Sequence, residues 1–388
     1  MSQLNYLLYI PAEFDEVGIH HELVSQLARA LEANAKVTLA TPRHRMALPP
    51  LAEFHLVHVF GCWNAGAAKL LAKAYKLHIP TVYTPLGGLQ PWMMRQHRTV
   101  RLMTLQRRMV RLASVVHVCG KLEYETFVRL GWNPRVALIK NPVLTSLFQF
   151  DDFCLAIQRL YRKVMDTNAR LLLTDRSKQA VAHLLQLGVD DDALRDSSLC
   201  AAVRQELAEL AGEDWRIIWL YAADEHVDET LKKGLERIQF AAPTLVIEDV
   251  ERFASNTIYA SGSLPDGKIL SRNILLRNKF NENIKEGETE ERRLCIGMLN
   301  LKYELEHRRA PLQHLVDAYV LTRYHDVDED RLKELFQLVG IEDFCARTMA
   351  VMGRMLGLTE GFMPLPPRDD TEARRLEAAM TKTELWPE

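Results

Sequence analysis

The sequence predicts a doubly wound parallel α/β sheet, Rossmann-like, over residues 1–147, followed by a mostly α-helical region over 148–388. Three observations lead there. Short apolar runs alternate with helix-period segments through the first 145 residues, which is the pattern of βαβ units. The run Phe54–Gly61 (FHLVHVFG) is apolar almost throughout, as a strand buried on both faces requires. Beyond about residue 150, helix caps and the 3.6-residue period recur with few strand-like runs.

Each element has its own justification. Asn5–Ile10 (NYLLYI) reads as a first strand and Pro11–Gly18 as a loop. Leu23, Leu27, Ala30 and Leu31 recur at helical spacing within His20–Ala33. Lys36–Thr41 is a second strand, stopped by Pro42, and Phe54–Gly61 a third. Asn64–Leu77 is an Ala- and Leu-rich helix with Lys69, Lys73 and Lys76 towards its C-terminus, where cations suit the helix dipole. A fourth strand ends at Pro85, before Leu86-Gly87-Gly88. One basic amphipathic helix is expected over Met93–Ala113, with Leu102, Leu105, Met109 and Leu112 on one side and Arg101, Arg108 and Arg111 on the other. Val115–Val118, a helix over Gly120–Leu130, and Arg135–Ile139 complete the α/β pattern.

In the C-terminal region Asp151 or Asp152, Asp175 and Ser197 or Ser198 can each cap a helix. Arg216–Tyr221 fits either strand or helix. Short strands are expected at Leu245–Ile247, Thr257–Tyr259 and Ile269–Leu276, and helix again from Glu290, with breaks at Pro311, Gly340 and Gly357. Asp326, Asp328 and Asp330 alternate as in a calcium loop, but no glycine follows at the sixth position. Asp328 or Asp330 is therefore read as a helix cap.

Composition excludes several classes. No run of about 18 apolar residues exists, so no membrane-crossing helix is expected. The N-terminus lacks a basic segment before an apolar core and does not read as a signal peptide. The six cysteines form no CxxC and no close pair, so neither a metal site nor a disulfide framework is suggested, and reduced thiols in a cytoplasmic protein are expected. Cys62 and Cys119, near strand ends, are read as small buried residues rather than nucleophiles. No cofactor is expected. Basic residues interleaved with aromatics are missing, so nucleic acid is not an expected partner.

Charge is uneven. Residues 1–150 hold 17 Lys and Arg against 8 Asp and Glu, and the remainder 32 against 43. No acid occurs from Phe54 through Leu122, while ten Lys or Arg do. That field suits a phosphate-bearing ligand or an anionic membrane surface, the latter through the basic helix 93–113, and equally suits attraction between the two halves. A peripheral position on the inner face of a membrane is consistent with it. The helical region is the candidate surface for a protein partner.

Candidate ligand residues cluster at predicted strand ends, where parallel sheets bind ligands. Gly87 and Gly88 let the backbone approach a ligand, or simply make a tight strand-to-helix connection. Gly18 and His20 open the first helix, whose N-terminus is a natural anion site. His58 lies near the end of the third strand, as a ligand contact or as a hydrogen-bonded core histidine. Arg95 stands close behind the Gly-Gly turn.

Taken in order, Gly18 with the helix to Leu31, Lys36–Thr41, Leu56–Gly61, Ile79–Trp92, Ser114–Val118 with Glu123, and Val136–Val143 resemble the N-terminal, acceptor-side domain of GT-B-type glycosyltransferases, especially the retaining family 4. The resemblance covers about 145 residues. It implies transfer of a sugar from a nucleotide-activated donor to a saccharide or lipid-linked acceptor. Gly18, His58, Gly87, Gly88 and Arg95 would line the cleft, Glu123 belongs to the resembling set, and Arg95 or Lys121 would face the leaving diphosphate. Two departures stand out. Leu86 occupies the position that usually carries His or Arg before the glycine. After about residue 148 the second, nucleotide-binding Rossmann-like domain of that family has no counterpart. The alternative expectation is a non-catalytic binding or interaction protein that has lost the donor site.

Overall fold

The computed structural model describes residues 4–12, 18–41, 49–97, 99–143, 149–253, 274–275, 278, 282, 289–306 and 310–381. By packing the chain divides into two compact units, Met1–Leu172 with Glu248–Ala254, and Leu173–Ile247 with Ser255–Glu388.

The first unit is built on a six-stranded sheet: β1 (Asn5–Tyr9), β2 (Lys36–Ala40), β3 (Leu56–Phe60), β4 (Thr81–Thr84), β5 (Val115–Val118) and β6 (Val136–Leu138). The strand order is β2-β1-β3-β4-β5-β6, and every pairing is parallel. Parallel neighbours need crossovers, and the helices α1 (Ile19–Leu31), α2 (Ala65–Lys76), α3 (Pro91–Gln96), α4 (Val100–Leu112) and α5 (Lys121–Leu130) supply them. The period of two along each strand divides the core. Leu8, Leu56, Phe60 and Val82 pack with α1, whereas Leu7, Val57, Val59, Tyr83 and Val116 pack with α2 and α4.

Helix α6 (Phe150–Thr167) packs Phe153, Ile157, Tyr161 and Val164 against the α1 face of the sheet. By packing, therefore, the first unit runs past 147 and includes α6 and the short α7 (Ala169–Leu172). Segment 248–253 returns to this unit: Lys163 Nζ meets Glu251 at 2.8 Å and lies 4.5 Å from the centre of the Phe253 ring.

The single basic helix expected over Met93–Ala113 is two helices. Thr99 starts α4 as an N-cap that accepts from Leu102 N at 3.4 Å, and α3 ends before it. The Ser/Thr preference for helix starts outweighed the continuous amphipathic pattern.

Helices dominate the described residues of the second unit: α8 (Asp175–Val189), α9 (Ser197–Ala208), α10 (Gly212–Asp224), α11 (Asp228–Arg237), α12 (Glu290–Glu306), α13 (Gln313–Tyr324), α14 (Glu329–Val339), α15 (Glu342–Leu356) and α16 (Thr371–Met380). Arg216–Tyr221 lies inside α10, so helix prevails over strand there. The strand expected at Leu245–Ile247 is also corrected: 244–246 have no regular structure and Ile247 opens a single 3-10 turn. Thr257–Tyr259 and most of Ile269–Leu276 lie outside the described residues. Asp328 caps α14, accepting from Arg331 N at 3.0 Å, and Gly340 and Gly357 end α14 and α15 in the left-handed conformation.

Two glycines fix the closest approach in this unit. A Cβ on Gly188 of α8 would lie 2.3 Å from the Thr230 carbonyl oxygen, and one on Gly234 of α11 would lie 2.3 Å from that of Leu184. The two helices therefore touch backbone to backbone. Arg347 clamps α15 to α16 through three hydrogen bonds to the Asp370 carboxylate, which also caps α16.

Candidate functional site

The carboxyl ends of β3, β4 and β5 and the first turn of α1 enclose a cavity of about 700 Å³ in the first unit. Parallel sheets place ligands at this end. Three segments form its floor: Cys62 and Trp63 after β3, Pro85–Gln90 after β4, and Cys119–Glu123 after β5. His20, Trp92, His97 and Asn141 complete the wall.

The backbone is unusual here. Gly61 and Trp63 have φ of 84° and 58°, and Leu86 and Gly87 have 51° and 85°. Left-handed conformations are uncommon for Trp and Leu and concentrate at functional sites. A hydrogen-bonded line holds the strained loops. Gln106 Nε2 donates to Tyr83 Oη at 2.7 Å, and Cys62 Sγ donates to Pro85 O at 3.3 Å. The Tyr83 hydroxyl is thus left to donate to Cys62 Sγ at 3.2 Å. Gln106 Oε1 accepts from Trp63 N at 3.0 Å. Gly88 is required by close approach, since a Cβ there would lie 2.3 Å from Cys62 Sγ. Burial pushes the Cys62 and Cys119 thiols well above their ordinary range, so both are structural groups.

Glu123, fully buried on the first turn of α5, reaches under the Gly-Gly turn. Its Oε1 accepts from Leu89 N at 3.2 Å and its Oε2 from Cys119 N at 3.4 Å, and the Gly87 N–H also points to it. Burial raises its pKa and these backbone donors pull it back, with burial the larger effect. The turn that could have cradled an external anion is filled by the protein's own carboxylate.

The expected site residues separate into two groups. His20, Gly87, Gly88 and Glu123 come together on the cavity wall. Gly18 is the exposed N-cap residue of α1, and Arg95 and Lys121 are exposed; none of the three lies on the wall. His58 is fully buried on the α6 face of the sheet. Its Nδ1 lies 2.6 Å from Tyr161 Oη and its Nε2 2.6 Å from Thr84 Oγ1, which in turn lies 2.8 Å from His117 Nδ1. His58 is the hydrogen-bonded core histidine of the two readings.

Trp63, His97, Gln106 and Asn141 were not singled out from the sequence. A signal existed for two of them: Trp63 directly follows β3 and Asn141 follows β6, at the ligand end of the sheet. Among the described residues no cluster of His, Cys, Asp or Glu could hold a metal ion.

A doubly wound parallel unit with a cavity at its strand ends, lined by glycines and aromatic rings, is the architecture of a ligand-binding α/β domain. Residues 27–142 match the family model of the glycosyl transferase 4-like domain. Residues 27–142 thus form a glycosyl transferase 4-like domain within the N-terminal unit. The match does not extend into the helical unit. Comparison with curated proteins and with solved structures returned no match. No described helix is long and apolar enough to cross a membrane.

Proposed function

We propose that the glycosyltransferase-like unit binds an uncharged saccharide, the acceptor side of a sugar transfer, in the cavity at the ends of β3, β4 and β5. Glu123 carries this reading. Its carboxylate already takes the N–H groups of the turn, and no Lys or Arg stands among the described residues of the wall. A diphosphate calls for cations or free backbone donors. A sugar calls for neutral polar groups and aromatic faces, which Gln90, Asn141, Trp63 and Trp92 provide. The helical second unit shows no strand among its described residues. The proposal therefore centres on saccharide binding rather than on turnover with a nucleotide-sugar.

Thermal-shift measurements test this. Simple glycosides should stabilise the protein, by about 4 kcal/mol at a thousandfold excess over Kd, and nucleoside diphosphates should not. Stabilisation by nucleotides alone would overturn it.

One further observation favours an acceptor carried on an anionic membrane. Arg101, Arg107, Arg108 and Arg111 are exposed on α4, with no ion-pair partner among the described residues, and α3 and α4 border the cavity through Trp92, Met93 and Leu102. Such a face suits an anionic lipid surface. Co-sedimentation with vesicles containing anionic phospholipid, and not with neutral ones, is the expected result. The six free cysteines support a reducing, cytoplasmic setting.

A further inference from the structure

We propose that Trp63 and Asn141 are the hydrogen-bond donors that orient the saccharide in this cavity, an assignment that rests on the saccharide reading above. Four observations on Trp63 agree. Its backbone is held at φ 58°. Its own N–H is anchored at 3.0 Å to Gln106, which is fully buried. Its ring lies flat on His97, with centroids 4.9 Å apart and planes 3° apart. His97 is itself fixed, because its Nδ1–H donates to Met93 O at 2.9 Å. So much positioning leaves the indole Nε1–H buried and without an acceptor among the described residues.

Asn141 is arranged in a similar way. It is 2% exposed, and its Oδ1 accepts from Val143 N at 2.9 Å, which fixes the carboxamide. Its Nδ2 is then buried with no acceptor among the described residues. A buried donor left unpaired is costly and uncommon in native structures. Both donors belong to residues that line one cavity, and both would be completed by a ligand oxygen seated against them. Both are neutral, so they suit hydroxyl, ring or acyl oxygens of a sugar and not the charge of a phosphate. Sequence spacing alone gives no hint of the pair, since 78 residues separate them.

Titration calorimetry with methyl α-glucoside, methyl α-mannoside and N-acetylglucosamine tests the assignment on the full chain and on W63F and N141D. Trp63→Phe keeps an aromatic face on His97 and deletes the donor together with part of the larger indole. Asn141→Asp keeps the oxygen that accepts from Val143 and deletes the other donor. Each should weaken binding of the preferred glycoside by roughly three- to tenfold, the loss of one hydrogen bond. Wild-type affinity in both variants overturns the assignment and leaves the saccharide reading standing. Failure of the wild-type protein to bind any of the three glycosides overturns both.

Discussion

His58 Nε2 lies 2.6 Å from Thr84 Oγ1, and this contact belongs to a line whose direction is fixed from its far end. The Ile139 carbonyl can only accept, so His117 Nε2 donates to it at 3.0 Å. Burial keeps His117 neutral at ordinary pH, so its Nδ1 accepts from the Thr84 hydroxyl, Thr84 accepts from His58 Nε2, and His58 Nδ1 accepts from Tyr161. In this direction each contact has one donor and one acceptor while both histidines are neutral. The line ties α6 to β3, β4 and β5.

Acid should therefore weaken the first unit. Burial, aided by the neighbouring His117, holds the His58 pKa well below its ordinary value, and burial pushes His117 down to about 4. In the unfolded chain both take up a proton near 6.5. Between these values the unfolded state binds more protons, so the stabilisation is complete above about pH 6.5 and is lost as pH falls towards 4. His117 alone accounts for on the order of 3 kcal/mol across that window. Urea unfolding at pH 7.5 and pH 5 should show the difference; equal midpoints and slopes would contradict it.

Thr84→Val keeps the shape and removes the hydroxyl. It strands a donor on His58 and an acceptor on His117 inside the core, at a cost of roughly 2–4 kcal/mol. Thr84→Ser should retain most of the wild-type stability. If valine and serine behave alike in chemical denaturation, the line has no energetic role.

Gly88→Ala should destabilise by about 1–3 kcal/mol, through overpacking against Cys62. Cys62→Ala removes Sγ but leaves a Cβ 2.6 Å from the new methyl group. The double variant should thus recover part of the loss, read as a coupling energy from the four melting curves. Strict additivity would show that the two residues do not press on each other.

Glu123→Ala should cost roughly 1–3 kcal/mol, because the turn amides lose their buried acceptor. It should also give the turn an affinity for inorganic pyrophosphate that the wild-type protein lacks, since freed backbone N–H groups at a Gly-Gly turn form an anion nest. Calorimetry with pyrophosphate reads the gain directly. Equal binding by both proteins would mean that Glu123 does not block the turn.

In the helical unit, alanine at Gly188 or Gly234 should destabilise, although alanine is the better helix former. Its Cβ would stand 2.3 Å from a carbonyl of the facing helix and drive α8 and α11 apart. Gly297 within α12 is the control, because nothing lies within 4 Å of its added Cβ. Gly297→Ala should stabilise by about 0.5–1 kcal/mol. Effects of the same sign at all three positions would refute the close-packed crossing.

The sequence by itself determined the six strands of the first unit, their parallel arrangement and most helices, because period and caps act within a few residues of one another. FHLVHVFG is legible as a buried strand, Asp328 as a cap, and the ordered set of segments as a glycosyltransferase-like domain without tertiary knowledge. It also located the Gly-Gly turn at the ligand end of the sheet. Only the tertiary structure decided what fills that turn. Glu123 lies 34 residues from Leu89 along the chain, and a buried carboxylate that accepts backbone N–H groups reads in sequence like any helix-face acid. The fate of His58 was likewise set by Tyr161, 103 residues away. The donors at Trp63 and Asn141 emerge for the same reason: whether a polar group is satisfied depends on partners that chain folding alone brings near.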